Sequence, residues 1–126
     1  MGVSMDVPIL KQGPYLIATI QAALTDADLL RLRDRIVQDV GVHRAKGVIL
    51  DVTALDVMDS FATDTLRGIA HMTRLRGAKT VIVGIQPDVA YAMAHMGLKL
   101  EGIFAALDLE EGLAYLDQPQ AAGRGR

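Results

Sequence analysis

Gly47-Val48-Ile49-Leu50-Asp51-Val52 is an unbroken β-prone run, and the loop Thr53–Asp59 passes from it into a segment of helical spacing. A strand so uniformly apolar belongs where both faces of a sheet are covered. Beyond the loop, Leu66, Ile69, Ala70 and Thr73 fall on one helix face. Asp59 and Asp64 stand near the start of that helix and Arg74 and Arg76 near its end, the order that a helix dipole favours. Gly77 stops the helix, and Thr80–Ile85 (TVIVGI) repeats the buried-strand pattern. Strand, helix and strand in this order force parallel pairing through a right-handed crossover.

The pattern extends in both directions from this unit. Upstream, Thr25-Asp26-Ala27-Asp28 reads as a capping box with two carboxylates in the first turn. Leu29, Leu32, Ile36 and Val40 follow as an apolar stripe flanked by Leu30 and Val37, while Arg31, Arg33, Asp34, Arg35 and Asp39 form a solvated face. Pro8–Gln12 and Tyr15–Gln21 are two extended runs parted by the turn signal Gly13-Pro14. Downstream, Pro87 suits the first turn of a helix ending near Gly97, and Ile103–Leu107 gives a last strand. Asp108-Leu109-Glu110-Glu111 opens a terminal helix. The expected order is β-β-α-β-α-β-α-β-α, an α/β domain with an open mixed sheet and four helices, over residues 1–117. Residues 118–126, rich in Gly, Pro and Gln, are expected to form a flexible tail.

With 126 residues, 51% of them apolar and 22% charged, the chain has the composition of one globular domain. The net charge of −2 supplies no global basic field, so nucleic acid and anionic membrane are not expected partners. No apolar run reaches the length of a membrane span, and the chain is expected to be cytoplasmic. Without cysteine there is no disulfide, thiolate metal site or thiol nucleophile. His43, His71 and His95 are isolated, so no metal is expected, and the absence of a Gly-rich phosphate cradle leaves no anchor for a nucleotide cofactor.

Two enzyme chemistries fail on spacing. A phosphoacceptor role for Asp51 would need an acidic pair at the first strand ends, where Gln12 and Gln21 stand instead. A serine nucleophile at Ser60 would want glycines where Met58 and Ala62 lie, and His71 is roughly 16 Å along the same helix. What remains is Asp56-Val57-Met58-Asp59-Ser60-Phe61-Ala62-Thr63-Asp64, in the loop after a central strand, where open α/β sheets present functional residues. Ser60 or Asp59 there serves as a helix cap. Yet Met58 and Phe61 add apolar groups, and Asp56, Asp59 and Asp64 add acids, beyond what a cap needs. On the residues alone, a cap and a functional site are both open readings.

The order of elements and the run LDVTALDVMDSFATDTL resemble the STAS domain family, the SpoIIAA-like fold of anti-sigma factor antagonists, over residues 8–116. Asp59-Ser60 matches the family's phosphoacceptor position, and GAKTVIVGIQPDVA and LDLEEGL are similar to the stressosome branch, in its short RsbS type. RsbR-type relatives carry an extra N-terminal domain, whereas about seven residues precede the first strand here. Sporulation-type antagonists show Ser-Ser-Gly-Leu-Gly where this chain has Ser60-Phe61-Ala62-Thr63-Asp64, a departure that favours the stressosome branch.

The resemblance implies a non-enzymatic scaffold that is phosphorylated on Ser60. It would hold an RsbT-type serine kinase, assemble with RsbR-type paralogues into a large particle, and form a homo-oligomer (a dimer) alone. Asp59 is then the immediate partner of the phosphoacceptor. Asp56, Met58, Phe61, Thr63 and Asp64 form the surrounding partner-binding loop, with no cofactor and no metal. The alternatives are a free-standing antagonist docking directly on an anti-sigma kinase, and a STAS module that binds a small ligand.

Overall fold

The computed structural model describes residues 7–21 and 24–119. Its elements follow the expected order: β1 (Ile9–Gln12), β2 (Tyr15–Thr19), α1 (Asp26–His43), β3 (Gly47–Asp51), α2 (Ser60–Leu75), β4 (Lys79–Val83), α3 (Pro87–His95), β5 (Phe104–Ala106) and α4 (Leu109–Asp117). Most of the tail expected over 118–126 lies outside the described residues.

The strands form one sheet in the order β1-β2-β3-β4-β5. β1 pairs antiparallel with β2 and the other neighbours pair in parallel, so the sheet is mixed as expected. β3 sits at its centre, with Ile49 matched to Ile17 on one side and Val81 on the other. Because β2 to β5 are parallel and each is followed by a helix, all four helices begin at the carboxyl edge of the sheet.

Alternation along the strands divides the core in two. Leu16, Ala18, Val48, Leu50 and Ile82 face Leu32, Ile36 and Val40 of α1, Leu66 and Ile69 of α2, and Val89 and Met93 of α3. Tyr15, Ile17, Ile49, Val81, Val83 and Ala106 face the other way, where α4 covers them through Leu116. Gly112 allows that approach, since a Cβ there would lie 2.8 Å from a Val83 methyl carbon. The Tyr15 hydroxyl donates to Asp117 at the end of α4. That hydrogen bond, then burial, then the Asp117 charge push the Tyr15 pKa up to about 12.

The local signals explain both the agreements and the shifts. Thr25 caps α1 in a full capping box with Asp28. Hydrogen bonds from Thr25, with the Arg31 cation adding to them, hold the Asp28 carboxyl below the usual carboxylate range. Along α1, Leu29, Leu32, Ile36 and Val40 are buried as expected, whereas Leu30 faces solvent. β2 stops at Thr19, short of Gln21. β4 stops at Val83 because Gly84 adopts φ +82°, where a Cβ would come 2.0 Å from Thr53 Oγ1. β5 is shorter than Ile103–Leu107 because the Ile103 amide donates to Leu100 O and the Leu107 amide to the Glu111 carboxylate. α1 ends on Arg44 in the left-handed region (φ 51°, ψ 43°). That conformation costs a non-glycine residue roughly 1–2 kcal/mol. No helix among the described residues is long and apolar enough to cross a membrane.

Candidate functional site

The path from β3 to α2 is fixed bond by bond. The Val52 amide extends the ladder to Val83 O (3.0 Å), and the Leu55 amide donates to Val52 O (2.9 Å). The Asp51 carboxylate accepts from the Thr53 amide (3.0 Å) and the Thr53 hydroxyl (2.6 Å). From the β4–α3 turn, the Gln86 side-chain amide donates to Thr53 O (2.6 Å). Leu55 and Met58 then insert into the core, which leaves Asp56 and Val57 pointing outward between them. Val57 is 67% exposed.

At the helix mouth the residue that caps is Asp59. Its backbone is extended (φ −86°, ψ −176°) and its Oδ1 accepts from the Ala62 amide at 2.8 Å. Its carbonyl accepts from the Thr63 amide (3.0 Å) and the Thr63 hydroxyl (2.9 Å). Ser60 is therefore the first residue of α2, exposed, and its hydroxyl takes no hydrogen-bond partner among the described residues. The Ser60 and Phe61 amides, at the first two helical positions, are likewise without a backbone partner there. A serine at a helix threshold ordinarily spends its oxygen on such amides. Here Asp59 serves as the cap, and the Ser60 oxygen points to solvent uncommitted.

The expected loop residues divide accordingly. Asp56, Asp59 and Asp64 are exposed around Ser60, with Asp64 ion-paired to Arg67, and Phe61 is half-buried. Met58 and Thr63 are corrections. Met58 is only 2% exposed and belongs to the core cluster, so it offers a partner no apolar surface. Thr63 is 1% exposed with its hydroxyl bound to Asp59 O, so it is neither a rim contact nor open to modification in the folded chain. Val57, which the sequence did not single out, takes the outward place expected of Met58. The Thr63 burial was readable by extending the Leu66–Ala70–Thr73 stripe back one turn, whereas an aperiodic loop carries no signal for which of Val57 and Met58 turns inward.

Beside Ser60 a small cleft of about 80 Å³ opens between the starts of α1 and α2, lined by Ile20, Leu29, Leu55 and Val57 with the exposed Asp26 and Asp59. The arrangement presents a free hydroxyl at the positive end of a helix, with an apolar cleft and carboxylates beside it. Among the described residues no three His, Asp or Glu side chains gather as metal ligands, and the Asp51 carboxylate is turned to Thr53.

The family model described as STAS domain matches residues 6–110. The chain is similar to the solved structure of a serine-to-glutamate variant of RsbS from Moorella thermoacetica. The two are 34% identical, with 87% of this chain and 93% of that chain covered and a TM-score of 0.75. It is also similar to a chain in a structure described as the molecular architecture of the stressosome, a signal integration and transduction hub. That match has 33% identity, covers 86% of this chain and 95% of that one, and has a TM-score of 0.70. A third relative is the RsbT co-antagonist protein RsbRA of Bacillus subtilis (strain 168), 26% identical over 83 residues. That match takes in 66% of this chain, and the chain spans 30% of the length of RsbRA.

Proposed function

Because this chain belongs to the STAS domain family, we propose that it is a non-enzymatic stressosome scaffold that holds an RsbT-type serine kinase and releases it when Ser60 is phosphorylated. The observation that carries this reading is the division of labour at the α2 mouth. Asp59 caps the helix, which frees the exposed Ser60 hydroxyl for an outside enzyme. The relatives support the setting: one is an RsbS, one comes from a stressosome, and one is described as a co-antagonist of RsbT. On this reading the chain assembles in the cytoplasm with RsbR-type paralogues.

Local electrostatics then supply the switch. Phosphorylation adds about −1.5 to −2 charges. The free amides and dipole at the start of α2 favour an exposed anion by about 0.3–1 kcal/mol. Asp56, Asp59 and Asp64 oppose it by a comparable, screened amount, so the isolated fold changes little. A partner docked over Val57, Phe61 and the neighbouring cleft must desolvate a dianion beside the Asp59 carboxylate, which is far costlier. The release needs no rearrangement of the domain.

The test is incubation with an RsbT-type kinase and ATP, followed by mass-spectrometric localisation of the phosphate. The expected product carries one phosphate, on Ser60, with none on Thr63 and none on the Ser60→Ala variant. Phosphate on another residue, or incorporation undiminished in Ser60→Ala, contradicts the reading.

A further inference from the structure

The net charge of −2 conceals a local excess of cations. At the amino edge of the sheet, the end of α1 and the α2–β4 turn enclose an open concavity of about 470 Å³. Arg44, Lys46 and Arg76 line it together with Leu75, and no carboxylate does. All three cations are exposed, and none is ion-paired among the described residues. A cleft lined by one sign of charge concentrates its counter-ion.

The helix ends alone do not account for these side chains. Cations near a helix C-terminus commonly hydrogen-bond its last carbonyls. Here backbone amides have taken those places: Ala45 donates to Val40 O (3.0 Å), Gly77 to Arg74 O (3.0 Å) and Ala78 to Thr73 O (2.9 Å). Arg76 donates to Val37 O at 3.0 Å through Nη1 alone. That bond lays its guanidinium against Gly41, where a Cβ would come 2.3 Å from Nη2. Arg44 is the one non-glycine among the described residues with a positive φ. Glycine closes a helix more easily in that conformation. A guanidinium kept there against the backbone preference points to a use for the side chain.

We propose that this concavity binds a diphosphate group, either free or at the end of an organic ester. Two linked phosphoryl groups carry enough charge to answer three cations, and a guanidinium fork grips their oxygens in pairs. Leu75, 74% exposed, gives the rim an apolar wall for the organic part of an ester. The cradle is built of side chains, so no Gly-rich loop marks it in the sequence. It lies apart from Ser60, because the 16 residues of α2 set the two ends of that helix about 24 Å apart. The site is thus independent of the kinase reading.

Isothermal titration calorimetry of the full chain with pyrophosphate, adenosine diphosphate, inorganic phosphate and sulfate, at low and high salt, tests the proposal. Pyrophosphate or adenosine diphosphate should saturate one site per chain, about tenfold or more tightly than phosphate or sulfate, and should weaken as salt screens the cations. Tighter adenosine diphosphate supports an ester as the ligand, and tighter pyrophosphate supports the free anion. Arg44→Gly and Lys46→Gln should each weaken binding by about tenfold or more. Arg44→Gly should also melt at the same temperature or higher, which separates loss of the ligand from loss of fold. Gly41→Ala displaces the Arg76 guanidinium and should weaken binding too. Lys99→Gln removes the same charge outside the concavity and should bind like wild type. The absence of saturable binding, sulfate as tight as pyrophosphate, concavity variants that bind like wild type, or an equal loss in Lys99→Gln would overturn the proposal.

Discussion

Asp59 accepts from the Ala62 amide, so removing its carboxylate strips α2 of its cap, whereas the neighbouring Ser60 hydroxyl holds nothing in place. Asp59→Ala should therefore cost about 1 kcal/mol in chemical denaturation. Ser60→Ala should stay within about 0.5 kcal/mol of wild type. Equal losses in the two variants would make Ser60 a cap and remove the case for a free hydroxyl. At this scale the sequence was informative about chemistry and less so about direction. The acids and Ser60 are on the surface where their polarity places them, as polar groups without buried partners must be. Met58 and Thr63 went inside because tertiary packing, not residue type, decides which loop and first-turn side chains meet the core.

For the elements, the periodic signals carried most of the fold. Thr25 and Asp28 start α1 in the expected capping box, and the stripe from Leu66 to Thr73 is buried as spaced. Strand ends were less legible because they depend on contacts distant in sequence. β4 ends where Gly84 lets Thr53 of the β3–α2 loop pass, and β5 is trimmed by Leu100 and Glu111. Two glycines separate these causes. Gly84→Ala forces a Cβ onto Thr53 at a positive φ and should destabilise the chain by about 2–3 kcal/mol. Gly68→Ala, inside α2 with open space around it, should instead stabilise by about 0.4–1 kcal/mol. Thermal or urea melts of the pair read the two signs directly, and a neutral Gly84→Ala would contradict the close approach.

Across the whole molecule, α4 is the one described element that covers the second sheet face, and the Tyr15–Asp117 hydrogen bond clasps its end to β2. Tyr15 titrates near 12 in the fold, above its ordinary 10. The clasp's stabilisation is therefore fully present below pH 10 and is lost as pH rises through 12. Tyr15→Phe should be less stable than wild type by about 1 kcal/mol at neutral pH, and the gap should close between pH 10 and 12. A gap unchanged across that window would show that the hydroxyl contributes nothing through this bond. That clasp was not legible in the sequence, since Tyr15 and Asp117 lie at opposite ends of the domain. With the framework so fixed, the switch proposed above would rest on charge at the mouth of α2, and binding affinity reads it most directly. The measurement is the Kd of an RsbT-type kinase for unmodified, Ser60-phosphorylated and Ser60→Glu protein, with circular dichroism of each. Affinity should fall about tenfold or more on phosphorylation, and in the same direction for Ser60→Glu, while the spectra superimpose. Undiminished affinity, or a loss accompanied by a changed fold, would contradict release by local charge.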